Sequence, residues 1–434
     1  GRNTIALTNV LFGEVWLCGG QSNMGYGVGG VASSNELAGL SYPTLRQFFM
    51  HITPTNRPKR DCIGGWRVAD ERNLREFCAV GFWFAERVQQ ELGVPIGLIW
   101  AAYGSSSAET WIPREALAND PDFAPMFARA QRANYPLLLA EHEAAMSNWL
   151  AQAAEARQQG RPEPAKPQDP KELYAYILRH APGNCFDGGI APLIPFGMRG
   201  VLWYQGEHNA PRAYQYRKLL PILIREWRRL WEDPELYFLI VQLPNYGSTS
   251  TEPRDSAWAE LREAQWLTAR SVSNCGIAVT IDIGDPRDIH PRNKWDVGKR
   301  LALVALNRVY GRQDIEYSGP VFAGMSPQGS NLVLRFSHVG GGRVAGTNGV
   351  PQPLRGFAVA SADSNAPAGP GPFVWAEARI AGDTVVLICT NVTHPIAVRY
   401  AWDNSPNANL YNKVGLPAAP FRTDDWPGCT FTNR

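Results

Sequence analysis

The chain has 434 residues, of which 44% are hydrophobic and 19% are charged, and this is enough material for two or three folded domains with buried cores. Its 42 basic and 40 acidic residues leave a formal net charge of +2, so no strong field attracts a polyanion such as nucleic acid. The longest apolar runs, such as residues 94–102, are shorter than the roughly 20 residues that span a membrane. We therefore expect a soluble protein whose partners include neither nucleic acid nor a membrane.

Short apolar runs alternate with helical patterns as far as residue 316. We predict buried strands at residues 13–18, 96–102, 200–204, 237–242 and 276–281. We predict helices at residues 82–92, 214–230 and 257–270, where apolar residues recur at helical spacing. Buried strands that alternate with helices indicate a parallel sheet covered by helices on both faces.

Two regions depart from this alternation. Residues 115–160 have a helical pattern and lead into the Pro-rich residues 161–167, so we predict a helical insertion over residues 115–172, outside the sheet. From residue 317 onward, short β-rich segments are separated by Gly- and Pro-rich turns. We therefore predict a main α/β domain over residues 13–316 and a C-terminal β-rich domain over residues 317–434.

The sequence indicates no cofactor and no metal. The seven cysteines are scattered, without a CxxC pair or a Cys/His cluster at zinc spacing, and either one or two disulfides or buried free thiols would explain them. Residues 25–30 read GYGVGG, a literal GxGxxG. That run does not directly follow a strand and lacks the acidic residue about 20 positions further on that a dinucleotide site needs.

A serine follows the first predicted strand, in the hexapeptide Gly19-Gly-Gln-Ser-Asn-Met24. Ligands of open parallel sheets bind beyond the carboxyl ends of the strands, and glycines at a tight turn would hold the Ser22 hydroxyl out of the core. A turn without chemistry would explain this hexapeptide on its own. The serine becomes a candidate nucleophile only if a base can reach it.

His290 is the histidine that best fits the role of that base, because it follows another predicted strand. Asp288 and His290 are two positions apart, and Pro291 favours an extended conformation at His290, so the two side chains can share a side of the chain. Asp288 could then orient the imidazole. The alternative is a polar loop that caps the helix beginning near Asn293.

Acyl transfer also needs donors for the tetrahedral oxyanion. The candidates are the backbone N–H groups of Ser22 and Gly104 and the side-chain amides of Gln205 and Asn209, all in loops that follow predicted strands. Aromatic and polar residues beside these loops are candidates for substrate contact: Gln21, Tyr103, Trp111, Trp203 and Glu207. Most of the 15 tryptophans are nevertheless expected in the core.

Several separate motifs together resemble one family. Residues 13–24 (GEVWLCGGQSNM), 202–209 (LWYQGEHN) and 288–291 (DIHP) resemble the motif blocks of sialate O-acetylesterases, within the GDSL/SGNH hydrolase superfamily. Residues 399–402, 409–412 and 415–426 resemble the closing segment of that family. The resemblance therefore extends over nearly the whole chain, with its motifs in the family's order.

The resemblance implies a flavodoxin-like three-layer α/β/α hydrolase domain with a parallel sheet, which removes O-acetyl groups from sugars, above all the 9-O-acetyl group of sialic acid. It implies Ser22 as nucleophile, His290 as base and Asp288 as its partner. Asp285 is a reserve candidate, because the superfamily more often has the aspartate three residues before the histidine, where this chain has Arg287. A Ser/His dyad is a third possibility.

The sequence differs from the family pattern in two places, before the first motif and at the position after Gly104. Family members usually have a β domain before the first motif, so residues 1–12 are predicted to be a remnant or last strand of such a domain. Ser105 stands where a second glycine often follows the position of Gly104.

The cellular location and the exact substrate are inferred from the family resemblance and not from a motif. No signal peptide is visible and the chain begins with Gly1, so a secreted or periplasmic location is inferred from the family alone, and no oligomeric state is predicted. The alternatives are an esterase for acetyl-xylan or another polysaccharide, and a non-catalytic glycan-binding protein.

Overall fold

The computed structural model describes residues 3–4, 6–345, 352–361, 371–389, 392 and 394–434. Its α-helices are α1 (Ser22–Gly25), α2 (Ser34–Leu37), α3 (Ala79–Leu92), α4 (Ala124–Gln131), α5 (Tyr135–Gln158), α6 (Pro170–His180), α7 (Ala213–Trp231), α8 (Ala257–Ser271) and α9 (Lys294–Arg308). The strands up to α9 are β1 (Glu14–Gly20), β2 (Ser41–Met50), β3 (Gly64–Asp70), β4 (Ile96–Ala102), β5 (Gly200–Tyr204), β6 (Tyr237–Val241) and β7 (Cys275–Ala278). Those after α9 are β8 (Val321–Gln328), β9 (Asn331–Ser337), β10 (Arg343–Ala345), β11 (Phe357–Ser361), β12 (Val374–Trp375), β13 (Glu377–Ala381), β14 (Thr384–Ile388), β15 (Pro395–Tyr400), β16 (Leu410–Asn412) and β17 (Phe421–Arg422).

The central sheet has the strand order β3-β2-β4-β1-β5-β6-β7. All neighbouring pairs are parallel except β2 and β3, which are antiparallel. The predicted parallel sheet is therefore confirmed. Strands β2 and β3 were not predicted, because these two strands at one edge of the sheet are only half buried and mix polar with apolar residues.

Helices cover both faces of this sheet. Consecutive residues of a strand point to opposite faces: Cys18 lies against Gly81 of α3, whereas the next position, Gly19, faces Trp203, whose ring stacks edge-on with Trp227 of α7. Helix α9 packs on α3, and α8 packs on α7. The layered α/β architecture matches the prediction, and its core consists of the apolar strand residues between the two helical layers.

The region between β4 and β5 contains helices α4, α5 and α6, and the last of these was not predicted as a helix. After α9 the strands form antiparallel sheets, in the orders β12-β11-β15-β17, β13-β14-β9-β8 and β10-β16. A C-terminal β-rich region is thus confirmed, while the exact domain limits stay a prediction. Residues 6–13 contain no strand. All seven cysteines are free thiols.

The fold brings several loops together at the carboxyl edge of the sheet. Strands β1, β4 and β5 are neighbours that end in register, with Gly20 opposite both Ala102 and Tyr204. Gly20 has a φ of +136°, and a Cβ there would lie 2.1 Å from the Tyr204 carbonyl oxygen, so only glycine fits. The turn after Gly20 therefore places Ser22 directly above the ends of these strands.

Candidate active site

Ser22 and His290 are in contact at this edge. Ser22 begins α1 immediately after β1, and His290 lies in the segment between β7 and α9. The Ser22 Oγ and His290 Nε2 atoms are 2.8 Å apart, and the ring of Tyr26 lies beside the imidazole at a centroid distance of 5.8 Å. At this distance a neutral imidazole can accept the hydroxyl proton directly.

The side chain of Asp288 is near His290 but does not bond to its ring. Asp288 Oδ1 lies 3.9 Å from His290 Nδ1, which is too long for a hydrogen bond. The same oxygen accepts the backbone N–H of His290 at 2.8 Å. Asp285 is turned to its own loop, where its carboxylate accepts the Arg287 N–H at 2.8 Å. Asp288 therefore shapes the loop of His290, and of these two aspartates it is the one beside the imidazole.

The environment of His290 favours the neutral imidazole. Partial burial lowers the pKa of His290 below its ordinary value, and the nearby Lys294 cation lowers this pKa further, while Asp288 raises it. An imidazole must be unprotonated to accept a proton from serine, so these effects extend to lower pH the form of His290 that could act as a base.

Two backbone N–H groups are free to face an oxyanion. Those of Ser22 and Gly104 have no hydrogen-bond acceptor among the described residues. The nearest atom to a Cβ built on Gly104 is the Ser22 Cβ, at 4.0 Å. The loop after β4 therefore leaves open space beside the serine, where an acyl group could sit.

The side-chain amides of Gln205 and Asn209 are buried within the structure. Gln205 Nε2 donates to the Ser106 carbonyl at 3.2 Å and to Asn209 Oδ1 at 2.7 Å. Asn209 Oδ1 also accepts the N–H of Ala108, and its Nδ2 donates to Glu109 Oε2, both at 2.9 Å. These bonds tie the loop after β5 to the loop after β4.

The predicted substrate-contact residues differ in accessibility. Trp111 and Trp203 are fully buried in the core, and Gln21 is buried with its Oε1 facing the Gly206 N–H at 3.4 Å. Glu207 is buried and accepts the Asn23 side chain. Tyr103 is only partly buried, so of these five side chains it is the one that a substrate could contact beside the loop of Gly104.

Helix α6, between β4 and β5, contributes residues that were not predicted to belong to the site. On α6, Arg179 lies over the Tyr103 ring at 5.6 Å, and His180 stacks on His208 with ring centroids 3.8 Å apart. Tyr176 packs against both histidines. Burial lowers the pKa of His180 to about 3 and also lowers that of His208, so both rings are neutral at pH 7. This cluster was not predicted, because α6 has almost no buried residues and was not predicted as a helix.

Neither a metal site nor a membrane helix is found in the described part of the chain. No group of three or more His, Cys, Asp or Glu side chains there could hold a metal ion. No helix in the same ranges is both long enough and apolar enough to cross a lipid bilayer.

Comparisons with known proteins identify the family. A family model described as carbohydrate esterase, sialic acid-specific acetylesterase, matches residues 165–307. The rat protein named sialate O-acetylesterase is 29% identical over 348 residues, which is 73% of this chain and 60% of that protein. The human protein of the same name is 25% identical over 344 residues, covering 73% of this chain and 57% of that protein. The chain thus spans less than two thirds of the length of these relatives.

A solved structure extends the similarity to almost the whole chain. The crystal structure of a carbohydrate acetylesterase from Xanthomonas citri is 34% identical, with a TM-score of 0.75, and the match covers 95% of this chain and 81% of that one. The chain therefore belongs to the sialate O-acetylesterase family of carbohydrate esterases.

Proposed function

We propose that this protein is a carbohydrate O-acetylesterase that hydrolyses O-acetylated sialic acid through a serine acyl-enzyme. The observation that carries the proposal is the 2.8 Å contact between Ser22 Oγ and His290 Nε2, in a chain of this family. A serine that a substrate can reach, with a base in hydrogen-bond reach, is the minimum requirement for nucleophilic acyl transfer, and Ser22 is partly exposed.

The first half of the reaction forms the acetyl-enzyme. Ser22 Oγ attacks the acetyl carbonyl carbon while His290 Nε2 accepts the hydroxyl proton. The carbonyl oxygen becomes an oxyanion and accepts the N–H groups of Ser22 and Gly104. The C–O bond to the sugar then breaks, and the imidazolium returns the proton to the departing sugar oxygen.

The second half uses water. His290 accepts a proton from the water, whose oxygen attacks the acetyl carbonyl, and the tetrahedral intermediate collapses to acetate and free Ser22. Asp288 contributes by fixing the His290 backbone and by raising the basicity of the ring through its nearby charge. We do not assign oxyanion contacts to Gln205 or Asn209, because their amides are already bonded to the surrounding loops.

The position of Arg179 favours an anionic sugar over a neutral polysaccharide as the substrate. Its Nε is buried without a hydrogen-bond partner, and no carboxylate among the described residues forms an ion pair with it. It lies on the Tyr103 side of the site, where it could pair with the carboxylate of sialic acid. A secreted or periplasmic location fits such a substrate and is proposed with it.

The test is acetate release from 9-O-acetylated sialic acid, acetyl-xylan and a small chromogenic acetyl ester. The wild-type protein should hydrolyse the small ester and the sialic acid derivative, and Ser22→Ala should lose at least about 10³-fold in kcat. Ser147→Ala, on an exposed face of α5, is the matched control and should keep full activity. A wild-type protein without esterase activity would leave glycan binding as the function, and preference for acetyl-xylan would replace the substrate.

A further inference from the structure

We propose that Asn23, Lys294 and Glu207 form a buried positioning network that holds the loop of His290 against the turn of Ser22. The proposal rests on the proposed function, since it concerns how the nucleophile and its base are kept in contact. None of the three side chains touches the reacting atoms, so their role is positioning and not proton transfer.

Asn23 is the centre of the network. Its Oδ1 accepts a hydrogen bond from Lys294 Nζ at 2.5 Å. Its Nδ2 donates to Glu207 Oε1 at 2.6 Å and to the Ile289 carbonyl oxygen at 2.9 Å. An ammonium group can only donate and a carboxylate or carbonyl can only accept, so the chemistry of the partners allows a single orientation of this amide.

The three bonds join separate parts of the fold. Asn23 follows the candidate nucleophile, Ile289 precedes the candidate base, Lys294 begins α9 and Glu207 lies just after β5. The bond from Asn23 to the Ile289 carbonyl therefore connects the two catalytic segments directly, one residue away from each reacting side chain. Loss of this bond would release the His290 loop from the Ser22 turn.

The two charges at the ends of the network are both buried. Lys294 is fully buried, with its Nζ 5.2 Å from the Tyr26 ring centroid and 5.5 Å from that of Tyr204. The only hydrogen-bond acceptor of the Lys294 Nζ group among the described residues is Asn23 Oδ1. Glu207 Oε2 has no hydrogen-bond partner there. The opposite charges thus compensate each other through the Asn23 amide.

A buried pair of this kind contributes little net stability, because the cost of desolvating both charges offsets their attraction. Lys294 and Glu207 instead orient the Asn23 side chain, since their charges polarise its amide and strengthen all three of its hydrogen bonds. Stability alone therefore does not account for the arrangement, whereas alignment of Ser22 and His290 does.

The network also acts on the ionisation of His290. The charged or titratable groups that face Lys294 are Glu207, Cys78, Asp288, His290, Tyr26 and Tyr204, and those that face His290 are Lys294, Asp288 and Tyr26. Burial lowers the pKa of Lys294 to about 8, so it remains a cation at the pH where His290 titrates. This cation disfavours the imidazolium.

The central test removes the amide and leaves the reacting groups in place. Asn23→Ala should lower kcat for the small acetyl ester by about 10- to 100-fold, because a misplaced base slows proton transfer, while KM changes by less than about twofold. The matched control is Asn307→Ala, another buried asparagine whose Nδ2 donates to two backbone carbonyls, of Arg312 and Ile315, at the far end of α9. It should lower the melting temperature and leave kcat unchanged.

A second pair of variants separates positioning from folding. Lys294→Met should move the acid limb of the kcat/KM profile to higher pH, since the cation that lowers the His290 pKa is removed. Glu207→Gln leaves the Lys294 charge uncompensated, so the double variant Lys294→Met/Glu207→Gln should unfold at a higher temperature than Glu207→Gln alone.

Two results would separate the positioning network from the proposed function. A folded Asn23→Ala protein with wild-type kcat, or an unshifted acid limb in Lys294→Met, would overturn the proposal. If the wild-type protein has no esterase activity, the proposed function fails instead, and the melting temperatures of the single and double variants still report whether Lys294 and Glu207 are coupled.

Discussion

The Ser22 hydroxyl and the His290 imidazole lie 2.8 Å apart, although 268 positions separate them in the sequence. Burial and Lys294 lower the pKa of the imidazole below its ordinary value near 6.5. Since the proposed mechanism uses the neutral ring as the base, kcat/KM should fall as the pH drops through a midpoint below about 6.5. The measurement is the pH dependence of kcat/KM for a small acetyl ester, and a midpoint above 7 would contradict the prediction.

Asp288→Asn should have a moderate effect. Loss of the carboxylate from a tightly bonded triad costs about 10⁴-fold in kcat, but Asp288 Oδ1 is 3.9 Å from His290 Nδ1. We therefore expect a loss of no more than about 10²-fold in kcat, together with a shift of the acid limb to lower pH, because the charge that raises the His290 pKa is gone. Asp285→Asn serves as the control and should change neither quantity. A loss near 10⁴-fold would indicate a tight triad in the working enzyme.

Gly104→Ala should reduce activity without reducing stability. The added methyl group would meet nothing closer than the Ser22 Cβ at 4.0 Å, so the folded protein accommodates it, but it would occupy space beside the nucleophile that we assign to the acetyl group. We expect at least about a tenfold loss in kcat/KM, which corresponds to about 1.4 kcal/mol of transition-state stabilisation, and an unchanged melting temperature.

Gly20→Ala is the contrasting variant at the same edge of the sheet. Its methyl group would lie 2.1 Å from the Tyr204 carbonyl oxygen, at a φ of +136°. This substitution should therefore lower the melting temperature strongly. Equal stability of the two variants would contradict the geometry of both turns.

Asn209→Ala should act on stability. The substitution leaves the Ala108 N–H and an oxygen of Glu109 without their buried partner, and each such group costs about 1–3 kcal/mol. Denaturant unfolding should show this loss, and Asn148→Ala, at an exposed position of α5, should show almost none. An unchanged stability with a large loss of kcat would instead assign Asn209 to the oxyanion.

Arg179→Met should alter substrate preference. If the guanidinium binds the carboxylate of sialic acid, its loss should reduce kcat/KM for O-acetylated sialic acid by about 12- to 160-fold, which corresponds to the roughly 1.5–3 kcal/mol of a charged hydrogen bond. The small ester, which carries no anionic group, should be hydrolysed as before, and equal losses for both substrates would exclude this role. Arg161→Met, at an exposed position in the insertion, is the control.

The strand-forming segments and the candidate nucleophile Ser22 could be predicted from the sequence for a local reason. A buried parallel strand is continuously apolar, as in β4 and β5, and glycines after β1 require a tight turn at Ser22. Elements with a weak hydrophobic pattern were not predicted. Strands β2 and β3 lie at an edge of the sheet and are only half buried, and α6 has few buried residues. Residues such as Trp111 and Glu207 were placed near the right loops, but their burial could not be known.

The sequence by itself determined the alternation of apolar runs and helices and the glycine turn that presents Ser22, and it indicated a histidine after a later strand as a candidate base. These depend on neighbouring residues, whose periodicity and backbone preferences are written along the chain. Only the tertiary structure decided that Asp288 bonds the backbone of His290 and not its ring, that Asn23 links Lys294 to Glu207, and that α6 brings Arg179 to Tyr103. Such contacts join segments far apart in sequence, and distances of a few tenths of an ångström separate a hydrogen bond from mere proximity.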